Sequence, residues 1–160
     1  MIVALGADHR GREARQHLQE WFARNEYEVV NCGAETGKFN DYPDIVYKVA
    51  TRVARGEADA GVLVGGTGIG MSIAANKVTG VRAALVHDEI GAEMSRRHND
   101  SNVLCLAADM LGLRIIDQIA FKWLTTDFEG GRHARRVAKI AALEQGLDPT
   151  TLSDSARVGE

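Results

Sequence analysis

Residues 61–77 read GVLVGGTGIGMSIAANK. Gly61–Val64 is a short apolar run with the length of a buried strand. It enters a loop in which Gly65, Gly66, Gly68 and Gly70 occupy four of six positions, and small and apolar residues then continue as a helix to about Lys77. A strand, a glycine loop and a helix in that order leave backbone N–H groups and the helix dipole facing an anion or an oxyanion. Thr67 adds a hydroxyl that either donates a hydrogen bond or caps the helix. The glycine spacing fits neither the P-loop nor the GxGxxG dinucleotide fingerprint. Gly65 to Met71 hold no side chain that readily takes a proton from carbon.

The same alternation extends outward in both directions. Upstream, Ile2–Ala7 reads as a buried strand, and Arg12–Asn25 as a helix with Ala14, Leu18, Trp21 and Phe22 on one face. Tyr27–Asn31 reads as a second strand, Gly33 to Pro43 as a polar loop, and Asp44 as the cap of a helix to about Arg55. Downstream come a strand at Val81–Val86, a helix from about Glu89 to Arg97, and a strand at Val103–Ala107. A further helix carries Ile115, Ile116, Ile119, Ala120 and Trp123, and a last one, after Gly130–Gly131, carries Val137, Ile140 and Leu143. Apolar strands separated by crossover helices imply a parallel sheet covered on both faces. Right-handed crossovers make it a doubly wound, Rossmann-like α/β sheet of five strands in a single domain. That domain spans residues 1–145, and 146–160 is a polar C-terminal tail.

With 160 residues, 45% hydrophobic and 26% charged, the composition is that of a soluble globular protein. A net charge of −3 leaves no electrostatic footprint for nucleic acid. No apolar stretch is long enough to span a bilayer, no signal-peptide pattern is present, and the two cysteines, Cys32 and Cys105, lack metal spacing. A reduced cytoplasmic protein without a metal site is the expectation.

In a doubly wound sheet, ligands bind outside the carboxyl ends of the strands. That rule selects Asp8–His9, Gly65–Gly70, His87–Glu89 and Ala107–Asp109. GADHRG, residues 6–11, sets an acid beside an imidazole just after the first strand, where the acid serves either catalysis or a helix start. RRHND, residues 96–100, ends a helix with His98 and Asn99. GGRHARR, residues 130–136, places Arg132 and Arg136 one turn apart, so that both guanidiniums can reach one anion.

Taken together, GADHRG, DYPD, GGTGIGMSIAANK, GVRAAL, HNDSNVL and FEGGRHARRV resemble the type B ribose-5-phosphate isomerases and the related galactose-6-phosphate isomerase subunits. The pieces occur in family order and cover residues 1 to about 145. The resemblance implies an aldose–ketose isomerisation of a sugar phosphate through an enediolate, without metal or organic cofactor. It also implies a homodimer or homotetramer whose active sites are each built from two subunits. The substrate-facing glycines would be Gly65, Gly66, Gly68 and Gly70, with the loop N–H groups and Thr67 stabilising the oxyanion. Asp8 and His98, the latter from the neighbouring subunit, would help open the furanose ring. His9, Arg132 and Arg136 would hold the phosphate, and Tyr42 and Asn99 the sugar hydroxyls.

Three positions depart from the family pattern. Gly65 stands where one branch has its proton-abstracting cysteine, and Met71 where another branch has a glutamate. Asp109 stands where many members have an arginine near the phosphate; at about 6 Å and an effective dielectric near 20, each charge pair is worth roughly 3 kcal/mol. Asp109 must therefore point away or pair with a cation such as Arg132. Glu89 is the first candidate for a relocated base, against a plain helix N-terminal acid; Cys105, inside a strand, reads as core, and Asp8 could do double duty. Ribose 5-phosphate is the default substrate. The other readings are an isomerase of a different sugar phosphate, a non-catalytic sugar-phosphate-binding subunit, and, by fold analogy alone, a nucleotide-binding module.

Overall fold

A computed structural model describes residues 1–33 and 41–152. Five parallel strands, β1 (Ile2–Ala7), β2 (Glu28–Asn31), β3 (Ala60–Gly65), β4 (Ala83–Leu85) and β5 (Val103–Ala107), form one sheet in the order β2-β1-β3-β5-β4. The helices are α1 (Arg12–Arg24), α2 (Tyr42–Ala54), α3 (Ile69–Ala75), α4 (Glu89–Asn99), α5 (Leu113–Leu124) and α6 (Arg132–Glu144), followed by a 3-10 turn at Pro149–Thr151. Among the described residues, no helix is long and apolar enough to cross a membrane.

Alternation along the strands sorts the core into two layers. Val3, Leu5, Val62, Val64, Leu104 and Leu106 meet Leu18 and Phe22 of α1 and Ile116, Ile119 and Trp123 of α5. Ala4, Leu63, Val103 and Cys105 meet Ile45 and Val49 of α2 and Met71 and Ala75 of α3. Every central strand is thus apolar on both sides, which is why these strands read as continuous hydrophobic runs. The first layer is pinned by a buried polar chain. Trp123 Nε1 donates to Ser101 Oγ at 2.8 Å, Ser101 Oγ to Ser95 Oγ at 3.0 Å, and Ser95 Oγ to the Ala92 carbonyl at 2.8 Å. These bonds fasten α4 and α5 to the start of β5 and leave none of the three donors unsatisfied.

Several boundaries differ from the sequence reading, each for a local reason. Helix α2 begins at Tyr42 after Asp41, so Asp44 sits inside the first turn instead of capping it. Pro43, whose fixed φ suits a first helical turn, sets the earlier start. Helix α3 stops at Ala75, not Lys77, because the Asn76 side chain turns to the next strand: its Nδ2 donates to the Ala83 carbonyl and its Oδ1 accepts from Ala83 N, both at 2.9 Å. That exchange also delays β4, which keeps only Ala83–Leu85 of the expected Val81–Val86. Ile140 and Leu143 of α6 are 42% and 61% exposed, so this chain alone does not cover the apolar stripe of its last helix. Within the expected polar loop, residues 34–40 lie outside the described residues, as do 153–160 of the tail.

The chain leaves β1 toward β2 on one side and returns to place β3 on the other. The crevice between the carboxyl ends of β1 and β3 is therefore the topological switch point of the sheet. It brings Asp8 beside Gly65.

Candidate active site

The glycine loop is shaped by its backbone. Gly68 caps α3 with φ of +70°, and a Cβ there would stand 2.6 Å from Leu85 Cδ1 and 2.9 Å from the Leu106 carbonyl oxygen. Both the dihedral and the space demand glycine. The carbonyls of Gly65 and Gly66 accept from Ala108 N at 2.8 Å and Asp109 N at 3.0 Å, which ties the start of the loop to the end of β5. The N–H groups of Gly66, Thr67, Gly68 and Gly70 donate to no group among the described residues. Thr67 is exposed, and its Oγ1 accepts from Ile69 N at a long 3.4 Å. Its hydroxyl is thus available at the mouth while the cap position belongs to Gly68.

Asp8, Met71 and Tyr42 border this loop. Asp8 Oδ1 accepts from Arg10 N at 2.9 Å and Gly11 N at 3.0 Å, organising the approach to α1. Asp8 Oδ2 borders the space above Gly65, 3.4 Å from where a Cβ of that residue would stand. Met71 closes the same space, its Cγ 3.1 Å from that position. Gly65 and Met71 are therefore one packing unit: the methionine occupies volume that a side chain at 65 would need. Tyr42 lies across Gly70, with its Cζ 2.8 Å from a notional Cβ. His9 is exposed at the same edge.

Asp109 does not pair with Arg132. Its Oδ2 accepts from Arg10 Nε at 2.7 Å, and the pair lies over Gly66. The Asp109 hydrogen bond, followed by its charge, raises the Arg10 pKa above the usual guanidinium value. The anion at the end of β5 is thus met by a cation from the end of β1. Glu89 is the exposed first residue of α4, just after Asp88, whose Oδ1 accepts from Gly91 N at 2.6 Å. It follows β4, two strands removed from β3, or about 10 Å across the sheet.

The remaining candidates form a second cluster. His98 and Asn99 end α4, and Arg132 opens α6. The His98 and His133 rings stack at 4.1 Å with planes 3° apart. Burial, then the neighbouring His98, pushes His133 below the usual imidazole range, with Arg132 and Arg136 acting in the same direction and Glu129 opposing. Glu129 Oε2 accepts from Arg97 Nη2 at 3.0 Å and Nε at 3.2 Å, and lies 3.8 Å from His98 Nε2. Donor atoms of His98, Glu129 and His133 lie within 4.8 Å of one another, close enough for a cation. Guanidinium groups already occupy that set: Arg97 is on Glu129, and Arg132 Nε donates to His133 Nε2 at 3.4 Å. Arg132 and Arg136 are exposed.

Topology separates the two clusters within one chain. Helix α4 leaves the carboxyl end of β4 and runs back against the strands for 11 residues, a rise of about 16 Å. It delivers His98 and Asn99 near Asn102, whose carbonyl accepts from Gly61 N at the start of β3. The glycine loop lies at the other end of that strand. The sequence reading built the site from two subunits, with His98 from the neighbour; within one chain the fold brings together Asp8, Tyr42 and the glycines, with His9 next to Asp8, and separately His98, Asn99, Arg132 and Arg136. Arg10, Glu129 and the His133 stack were missed. All three residues lie inside the quoted motifs, but for Arg10 a partner 99 residues away leaves no local signal.

Unengaged loop amides at a crevice with an acid and an imidazole, and a second cluster rich in arginine, are the chemistry a phosphorylated small molecule with a developing oxyanion would call for. The chain belongs to the ribose/galactose isomerase family, whose model matches residues 3–140. It is 41% identical to ribose-5-phosphate isomerase B of Escherichia coli over 143 residues, covering 89% of this chain and 96% of that protein. A putative sugar phosphate isomerase of Bacillus subtilis is 44% identical over 146 residues, 91% of this chain and 98% of the other. Among solved structures, ribose-5-phosphate isomerase B of Clostridium thermocellum matches with a TM-score of 0.89 at 42% identity, covering 91% of this chain and 99% of that one. The type B enzyme of Trypanosoma cruzi matches at 0.88 and 46% identity, with the same coverage. The chain is an aldose–ketose isomerase of the sugar-phosphate class.

Proposed function

We propose that the protein interconverts ribose 5-phosphate and ribulose 5-phosphate through an enediolate, in the cytoplasm. The observation that carries this reading is the set of unengaged N–H groups at Gly66, Gly68 and Gly70, beside Asp8, at the switch point of the sheet. Removing a proton from the carbon next to a carbonyl builds negative charge on that oxygen. Preorganised amides stabilise the charge more in the transition state than in the ground state. The Thr67 hydroxyl at the mouth adds a further donor.

The phosphate belongs with Arg132 and Arg136, which share one face of α6, and with His9. His98 opens the furanose with Asp8, and Asn99 and Tyr42 hold sugar hydroxyls. Because α4 carries His98 and Asn99 to the far end of the sheet, a complete site combines the loop of one protomer with the α4–α6 corner of another. The exposed Ile140 and Leu143 of α6 provide apolar surface for such a homodimer. Chemistry needs no metal or organic cofactor here, since the amides themselves polarise the carbonyl.

The test is isomerase activity on ribose 5-phosphate, followed by ketose formation, with analytical ultracentrifugation at the assay concentration. Turnover by a dimer or tetramer is expected. Absence of ketose at high protein concentration, with turnover of a different sugar phosphate, transfers the reading to that sugar; a strictly monomeric active enzyme removes the shared site.

A further inference from the structure

An isomerase of this kind must lift a proton from carbon, and the glycine loop offers no acceptor of its own. The acidic oxygens along its walls are few. Asp109 Oδ2 is taken by Arg10 Nε at 2.7 Å. Tyr42 presents a phenol and not a carboxylate. Glu89 lies beyond β4, two strands from β3. Asp8 follows β1, the immediate neighbour of β3.

Within Asp8 the two oxygens have different occupations. Oδ1 takes both N–H bonds, from Arg10 and Gly11, and so fixes the carboxylate. Oδ2 accepts no hydrogen bond among the described residues and stands 3.4 Å from the place where a side chain at Gly65 would begin. Met71 fills the volume that a side chain at 65 would take, so a substrate carbon reaches Oδ2 of the half-buried Asp8 from the open side of the crevice. Met71 fills the other side with carbon and sulfur, which excludes water from that wall.

We propose that Asp8, through Oδ2, is the base that takes the proton from the substrate carbon. The assignment rests on the isomerase reading above and goes beyond ring opening. The C–H bond adjacent to the carbonyl breaks and its electron pair becomes the C=C of the enediolate. The carbonyl π pair moves onto oxygen, where the N–H groups of the loop receive it, and the proton rests on Oδ2. A hydroxyl proton passes between the two substrate oxygens, and Oδ2 returns its proton to the neighbouring carbon. Atoms and charge balance without any co-reactant.

Ribulose 5-phosphate separates this role from ring opening. Its C5 oxygen carries the phosphate, so no five-membered ring can close and the substrate is always open-chain. Deuterium entry at its C1 from heavy water, read by proton NMR, therefore reports carbon deprotonation alone. The wild-type protein is expected to exchange this hydrogen. Asp8→Asn, whose amide oxygen still accepts from the start of α1, is expected to slow exchange by about 10²–10⁴-fold while circular dichroism stays native. Should that variant not fold, Asp8→Ser, whose hydroxyl can also accept there, carries the same comparison. Exchange by a folded variant within tenfold of wild type overturns the assignment and leaves Asp8 with ring opening only. No exchange by the wild-type protein overturns the ribose 5-phosphate reading, and the base assignment with it.

Discussion

The crevice between β1 and β3 and the corner between α4 and α6 recognise charge in opposite ways. In the crevice the chain itself is the instrument: amides of Gly66, Gly68 and Gly70 donate to no group among the described residues, while Gly68 takes a left-handed turn and the end of β5 holds the carbonyls of Gly65 and Gly66. At the corner, side chains do the work, with Arg132 and Arg136 projecting from α6 and His98 stacked on His133. Fixed amides suit a charge that appears only during reaction, since they cost no reorganisation when it forms. Mobile guanidiniums suit a permanent phosphate charge that must be caught from solution. In the proposed function neither region is a complete site, and the antiparallel run of α4 keeps them apart in one chain.

The sharpest way to break this division is complementation. Gly68→Val destroys the loop and His98→Asn disables the corner, and each variant alone is expected to be inactive. Mixed and reassociated in equal amounts, dimers sharing sites across a two-fold interface recover about a quarter of wild-type activity, because half are mixed and one site in each is intact. Activity staying at zero after confirmed exchange of subunits means both regions must come from one chain.

Smaller changes sharpen the two halves separately. Gly68→Ala forces a Cβ to within 2.9 Å of the Leu106 carbonyl at a φ of +70°. The displaced amide is expected to lower kcat by about 10²–10³-fold, the cost of one oxyanion donor, with less effect on KM. Steady-state kinetics on either pentose phosphate decides it. Ser101→Ala touches only the mounting of α4. It leaves the buried Trp123 Nε1 without an acceptor and should cost about 1–3 kcal/mol in urea unfolding. An unchanged midpoint would mean that the Trp123–Ser101–Ser95 chain does not carry the load assigned to it.

The same contrast governs what was legible in the sequence. The loop could be read because its recognition is backbone-borne: glycines at fixed offsets between an apolar run and a small-residue helix declare it locally. The sheet was legible too, since each central strand is apolar on both faces. Long-range pairing was not. Asp109 stood out as an anion where a cation was expected, but its Arg10 partner became visible only when β1 and β5 flanked β3. Boundaries failed where a side chain competed with the backbone, as Asn76 does between α3 and β4. That His98 lies far from the loop of its own chain is a matter of helix direction; the sequence reading took it from a neighbouring subunit through the family resemblance and not through a local motif.

The smallest expected effect concerns acid stability at the corner. His133 is buried against His98, with Arg132 and Arg136 nearby and Glu129 as the opposing charge; the net result is a pKa below the ordinary imidazole value. The unfolded chain therefore takes up a proton that the folded chain resists. The stability contribution of the neutral ring is present above the unfolded value of about 6.5 and is lost as pH falls toward the lower folded value. Urea midpoints measured across that window should decline with acidification, and His133→Gln should flatten the decline without shifting the plateau at higher pH by a comparable amount. A slope untouched by the substitution would assign the acid sensitivity to other groups. A dianionic phosphate held by Arg132 and Arg136 would offset their charge beside the ring and raise the folded pKa toward the unfolded one, so bound inorganic phosphate is expected to shrink the decline. The glycine loop, which recognises charge through unionisable amides, has no counterpart to that response.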